Sequence, residues 1–158
     1  MKKFWAYFLP TLLCFVLGGI AAVLQTGALA EWYPFLIKPA LTPPNAAFPI
    51  AWSIIYLCMG ISAGLILTSR ARSRRKVMTC WYVQLGFNFL WSILFFTFRS
   101  PLLGMIDIVV LDALVICYIV RSARVRIAAA WLFVPYLCWI LFATYLNAYI
   151  LIFNGTGI

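Results

Sequence analysis

Met78-Thr79-Cys80-Trp81-Tyr82-Val83-Gln84-Leu85-Gly86-Phe87-Asn88-Phe89-Leu90-Trp91-Ser92-Ile93-Leu94-Phe95-Phe96-Thr97-Phe98 runs for 21 residues without a charged side chain. Wound as an α-helix at about 1.5 Å per residue, it spans about 30 Å, the thickness of a bilayer's hydrocarbon core. Arg74, Arg75 and Lys76 stand just before it and Arg99 just after, so charge begins where hydrocarbon would end. Four more runs are of similar length and apolarity, Phe4–Gln25, Ala47–Thr68, Leu102–Val120 and Ile127–Phe153, and of these Leu102–Val120 alone carries charged residues, Asp107 and Asp112. A membrane barrel would instead show short segments alternating with period two, and these runs do not. The reading is an all-α integral membrane protein, one domain over residues 1–158, folded as a five-transmembrane-helix bundle.

Composition agrees. Of 158 residues, 66% are hydrophobic and only 9% charged. One soluble core of this size cannot hide so much apolar surface, whereas a bilayer-facing bundle requires it. The net charge of +9 would suggest nucleic acid in a soluble chain, but the charges sit in short connections and form no basic face. No nucleic-acid partner is expected. With five spans, Lys2, Lys3, Arg70, Arg72, Arg74, Arg75, Lys76, Arg121, Arg124 and Arg126 share one side, against Lys38 and Arg99 on the other. The positive-inside rule then predicts a cytoplasmic N-terminus and an outside C-terminus, in a bacterial cell membrane. The Arg70–Lys76 run is expected to lie against anionic lipid head groups. The basic start and Ala28-Leu29-Ala30 resemble a signal peptide. An apolar stretch of about 20 residues is longer than the usual 7–15 of a signal core, so a retained helix is expected.

Cys14, Cys58, Cys80, Cys117 and Cys138 are scattered through the apolar runs, with no CxxC pair and no histidine in the chain. That pattern suits small apolar side chains in a bundle and gives no metal site and no cofactor. Between the first two runs, Thr26–Ala46 carries Trp32, Tyr33, Pro34, Pro39, Pro43 and Pro44. A connection of about 20 residues in a small bundle reads as a lid or binding loop, and its prolines predict a stiff, extended course. An interfacial linker with aromatic anchors is the alternative.

Polar groups deep in a membrane are costly and mark interior positions. Asp112 falls near the bilayer centre and Asp107 nearer the outer face. Five residues turn a helix by about 140°, so the two do not form an acid–base pair. A carboxyl hydrogen-bonded to a neighbouring helix is the simplest role for either. Asn88, Trp91 and Ser92 share one helical face, as do Trp139, Ala143 and Asn147, and Trp52 with Tyr56. These stripes converge in the outer half of the bundle, beneath the proline-rich loop. The expected product is an apolar, aromatic pocket with a few neutral polar groups; ordinary packing with an aromatic belt is the competing reading. Gly18 with Ala22, and Gly60 with Gly64, allow close helix approach, including at a homodimer face.

At these residues the sequence resembles the translocator protein family, whose bacterial members are the tryptophan-rich sensory (TspO/MBR) proteins. The matching stretches are Lys38-Pro39-Ala40-Leu41-Thr42-Pro43-Pro44 with Phe48, Trp52 and Tyr56; then Gln84-Leu85, Asn88, Trp91-Ser92 and Phe95-Phe96; then Pro135-Tyr136, Trp139, Phe142-Ala143 and Leu146-Asn147. Three motifs in order over nearly the whole chain make the resemblance specific. It implies a five-helix bundle, usually dimeric, that binds porphyrins and other flat hydrophobic ligands beneath the first long loop. Carried over by position, the pocket comprises Trp32 or Tyr33, Pro44, Trp52, Asn88, Trp91, Trp139 and Ala143, to which the helical stripe adds Asn147. Asn88 and Asn147 would meet the ligand's polar edge, and Lys38 or Arg99 its propionates. Leu41 stands where members usually have tryptophan, and no basic residue follows Arg126, so the sterol motif is missing there. The resemblance admits a tetrapyrrole receptor, sensor or carrier. It also admits an enzyme degrading porphyrin with light and oxygen through Trp52 and Trp139, or a small-molecule transporter.

The charge distribution makes a direct prediction. In intact cells, an impermeant thiol reagent should modify a cysteine placed at Thr156, while one at Ser73 stays protected until the cells are opened. The reverse pattern would overturn the orientation.

Overall fold

Hydrocarbon offers backbone amides no partners, so a chain crossing it must satisfy them within helices. The computed structural model, which describes residues 1–156, does this with α1 (Lys2–Leu24), α3 (Ala47–Leu67), α4 (Arg74–Ser92), α5 (Pro101–Ala123) and α7 (Val134–Asn154). Two short helices accompany them, α2 (Thr26–Glu31) and α6 (Ile127–Trp131); α6 and α7 together make the fifth span. Five segments are thus long and apolar enough to cross a membrane, and no strand occurs among the described residues. The chain is an integral membrane protein.

The helices differ from the apolar runs in ways that follow from local chemistry. Helix α4 begins at Arg74, before the uncharged run, because its basic first turn belongs to the head-group layer. Helix α5 starts at Pro101, with Ser100 Oγ accepting from the Leu103 amide as a cap, and carries Arg121 in its last turn, where the helix dipole favours a cation. The last span is interrupted at Leu132-Phe133 rather than continuous. Pro135 has no N–H to donate to Trp131, so the chain closes α6 and restarts as α7. The first loop also departs from expectation. Nearly its first half is helical, as α2 and a 3-10 turn at Tyr33–Phe35, because no proline of the loop precedes Pro34. Only the remainder, through Pro39, Pro43 and Pro44, is irregular.

Around the bundle, α3 packs on α1, α1 on α4, α4 on α5 and α5 on α7, while α6 joins α3 and α5 at the end opposite the first loop. The α1–α3 contact is the closest. A Cβ at Gly60 would lie 2.6 Å from the Thr11 Cα, one at Gly64 would overlap the Tyr7 ring, and one at Gly18 would overlap the Tyr56 ring. These three glycines face helices of their own chain, while Ala22, read with Gly18 as a possible homodimer face, is exposed. At the basic end Ser62 Oγ donates to the Ala129 carbonyl (2.7 Å). Having spent its one proton there, it accepts from the Tyr118 hydroxyl at 2.8 Å. That chain of bonds ties α3, α5 and α6, and Trp81 Nε1 adds α4 by donating to the Met59 carbonyl at 3.2 Å.

Gly60→Leu should therefore lower the thermal midpoint of the purified protein by several degrees, an overpacking cost of about 1–3 kcal/mol. Gly19→Leu, where a Cβ meets nothing within 4 Å, should be neutral. Equal midpoints for the two variants would show that α1 and α3 do not pack this closely.

Candidate ligand site beneath the first loop

Helices α3 and α7 do not pack closely backbone to backbone; large aromatic rings span the space between their loop-side halves. Trp52 stacks on Tyr56 (5.3 Å between centroids, 29° between planes) and meets Trp139 edge to face at 6.5 Å. Phe48, at the start of α3, meets Trp139 edge to face at 5.8 Å. Phe48 also forms one wall of a small cavity whose other walls are Tyr33 of the loop, Trp91, Phe95 and Phe96, and Ala143, Leu146, Asn147 and Ile150 of α7. The volume is about 40 Å³, roughly the space of a single water molecule. In this state the site is shut.

A break in α-helical geometry shapes the cavity. After Ser92 the chain widens into a π turn over Ile93–Thr97, which lets consecutive Phe95 and Phe96 both face the site. Phe95 stacks on Trp91 (5.2 Å, 16°) and meets Phe96 edge to face at 4.9 Å. The turn ends at Arg99, whose φ of 52° lies in the left-handed region and reverses the chain into α5.

The polar residues expected at the ligand are engaged by the protein itself. Asn147, 1% exposed, donates from Nδ2 to the Pro101 carbonyl (2.7 Å) and accepts at Oδ1 from Trp91 Nε1 (3.2 Å). Asn88 donates to the Tyr136 hydroxyl at 3.0 Å. Thr144 Oγ1 donates to Asp112 Oδ2 at 2.9 Å, giving that carboxyl an interhelical partner. Asp107 is 3% exposed, and neither of its oxygens has a partner among the described residues. It sits one turn beyond Gly104, where a Cβ would press on Asn147 Oδ1 and the Phe95 ring.

The loop is fastened over the cavity at three points. Asn154, at the end of α7, accepts from the Ile37 amide (2.8 Å) and donates to the Ile37 carbonyl (3.0 Å). Arg99 pairs with Glu31 at 3.0 Å. Trp32 lies edge-on to Phe95 at 5.6 Å, and Tyr33 leans on Phe96 at 5.7 Å. Lys38 turns inward: its Nζ donates to the carbonyls of Tyr33 (2.7 Å), Pro34 (3.2 Å) and Leu36 (3.0 Å) and lies 4.8 Å from the Tyr33 ring centroid. Loss of solvent pushes the Lys38 amine below the usual lysine range and the Tyr33 hydroxyl above the usual phenol range. Both cations expected to meet ligand carboxylates are therefore occupied within the closed loop.

Of the residues read from sequence, the structure gathers Tyr33, Trp91, Ala143 and Asn147 around the cavity. Trp52 and Trp139 form a second aromatic layer behind Phe48, Asn88 lies deeper with Tyr136, and Trp32 packs on the outer side of Phe95. Pro44 is exposed and starts α3, its carbonyl accepting from the Ala47 amide. Phe48, Phe95, Phe96, Leu146 and Ile150 line the cavity without having been proposed as site residues. Leu146 and Ile150 flank Asn147 at helical spacing, a signal present in the sequence; the π turn left none.

Residues 10–153 match the TspO/MBR family. The chain belongs to that family. Among similar members are the tryptophan-rich protein TspO of Archaeoglobus fulgidus, 38% identical over 89% of this chain and 97% of that protein. Protein CrtK of Rhodobacter capsulatus is 34% identical over 93% and 89%. The human translocator protein is 30% identical over 87% and 81%. For this TspO/MBR chain the match embraces every element that builds the cavity, from α1 to the last turn of α7.

The fastening carries a test. Asn154→Ala removes both bonds to Ile37, each worth about 0.5–1.5 kcal/mol. Amide exchange over residues 33–46 should speed up several-fold while exchange in α5 stays unchanged. Identical exchange in the variant and the wild-type protein would show that this pair does not hold the loop.

Proposed function

We propose that this protein is a membrane receptor or carrier for porphyrin-type tetrapyrroles and similar flat hydrophobic ligands, bound in the outer half of the bundle beneath the first loop. The observation that carries the reading is the aromatic box of Tyr33, Phe48, Trp91, Phe95 and Phe96 closed by a pinned loop. Large planar rings offer a π surface to such a ligand and lose little side-chain entropy on binding. A tetrapyrrole cannot enter a 40 Å³ space, so binding requires the loop to lift and its rings to part from Phe95 and Phe96. The affinity observed is then the intrinsic affinity multiplied by the open fraction. Opening would also release Lys38 and Arg99 from their loop partners, making both cations available to ligand propionates at the rim. Orientation with the loop outside follows from the basic residues at the opposite end.

A second reading, light-driven oxidation of a bound porphyrin, has its own support in the Trp52–Trp139 pair, two oxidisable indoles in edge contact behind Phe48. The two readings separate at Trp139. For a binding protein, Trp139→Phe should weaken protoporphyrin affinity by about 1 kcal/mol, one aromatic contact, measured by tryptophan quenching in darkness. For an enzyme, the same change should abolish light-dependent porphyrin loss and leave dark affinity nearly intact. Ala143→Phe should fill the cavity and remove binding under either reading. Unchanged porphyrin affinity in a folded Ala143→Phe variant would exclude this site.

A further inference from the structure

The end of the bundle opposite the loop holds a second, larger cavity that the ligand site does not use. It is a groove of about 410 Å³ between α1 and α4, reaching Leu67 of α3. That volume lies in the range of about 300–1,000 Å³ typical of small-molecule sites. The two helices run parallel here, from Trp5 and Arg74 at the end to Leu13 and Tyr82, eight residues or about 12 Å farther in. Leu9, Pro10 and Leu13 make its floor apolar.

The mouth of the groove is cationic and preorganised. Arg74 Nη1 donates to the carbonyls of Leu67 (3.2 Å) and Ser69 (3.4 Å), which fixes the guanidinium at the end of α3. Its Nη2 and Nε donors have no acceptor among the described residues. Arg70, Arg72, Arg75 and Lys76 are exposed around it. No carboxylate balances them: the chain's three acids are Glu31, paired with Arg99 at the other end, and Asp107 and Asp112 within α5. The N-terminus of α4 adds to the imbalance. Its first turn has three basic residues and no acidic one, and no side chain caps it, so cations meet the positive end of the helix dipole. The Arg74 amide already donates to the Ala71 carbonyl (3.1 Å), so an anion there would be stabilised by the dipole, by the Arg75 and Lys76 amides and by the Arg74 guanidinium together.

We propose that this groove is a specific site for an anionic phospholipid. One acyl chain lies along Leu9, Pro10 and Leu13, and the phosphate sits on Arg74 and the first turn of α4. The inference does not depend on the outer cavity binding anything. Diffuse attraction to a basic surface would not distinguish Arg74 from its neighbours, whereas a groove with one fixed guanidinium at its mouth does.

The test is native mass spectrometry of the purified full-length protein. It would be loaded with phosphatidylglycerol or with phosphatidylcholine of identical acyl chains. Both lipids carry the phosphate, but phosphatidylcholine adds a quaternary ammonium that the cationic mouth repels, so the phosphatidylglycerol adduct should persist about tenfold more. Arg74→Gln, which keeps a polar side chain of similar reach, should bring retention down to the phosphatidylcholine level, and Arg72→Gln should change it less than twofold. Ala6→Trp should fill the groove and lower retention of both lipids. Millimolar inorganic phosphate should fail to displace the lipid, because the acyl chain contributes. Equal retention of the two lipids, equal losses in the Arg72 and Arg74 variants, or displacement by phosphate alone would each overturn the proposal. Helicity and elution volume matching wild type verify that each variant is folded.

Discussion

One carboxamide holds the loop-side half of this bundle together. Asn147 on α7 donates to the Pro101 carbonyl at the start of α5 and accepts from the Trp91 indole on α4. In hydrocarbon a lone amide would be left without partners, so its two bonds fix the mutual height of three spanning helices. Gly104 is required beside it, since a Cβ there would press on Asn147 Oδ1. The arrangement also sets the ring plane of Trp91, against which Phe95 stacks, and so determines the wall of the cavity. Remove the amide and both the helix register and the site's shape lose their reference.

Because Asn147 and the Trp91 indole, the polar groups on the cavity's helical walls, bond to each other and to Pro101, little hydrogen-bonding capacity remains on those walls for a ligand. Selectivity at such a site comes from shape and π area, which many flat apolar molecules share. Discrimination must then lie at the rim, where the loop's own ion pair and lysine contacts compete with any charged ligand edge. A ligand carrying carboxylates offers replacement partners for Arg99 and Lys38 and so lowers the cost of opening. A neutral one does not. Under the proposed function the loop would thus filter ligands chemically as well as sterically.

The sequence disclosed the architecture through one strong signal, uncharged runs of bilayer length ending in basic residues. It also disclosed which faces turn inward, since Trp91, Ala143 and Asn147 stand on the stripes that helical spacing assigned to them. Three features were hidden for physical reasons. The π turn after Ser92 is one extra residue per turn, with no compositional mark, yet it brings Phe95 and Phe96 to the cavity together. The role of Gly60 and Gly64 depends on which helix lies opposite, and small-residue spacing reads the same for an internal neighbour and for a second copy. The inward turn of Lys38 reflects carbonyls freed where the 3-10 turn ends, a local backbone detail that a charge count cannot register.

The two ends of the molecule solve opposite electrostatic problems. At the loop end each cation has an internal partner: Arg99 has Glu31, and Lys38 has three carbonyls and an aromatic ring. At the other end Arg70, Arg72, Arg74, Arg75 and Lys76 crowd together with no acid among them, against the sense of the α4 dipole. Solvent and salt screen such exposed charges, and anionic head groups at a membrane surface would offset them further. The asymmetry thus leaves the cations of one end with partners inside the chain, and those of the other end without any carboxylate beside them. A loop can lift from the first end without loosening the second, because the α1–α3 glycine contact and the Ser62–Tyr118–Ala129 bonds anchor the bundle at the basic end.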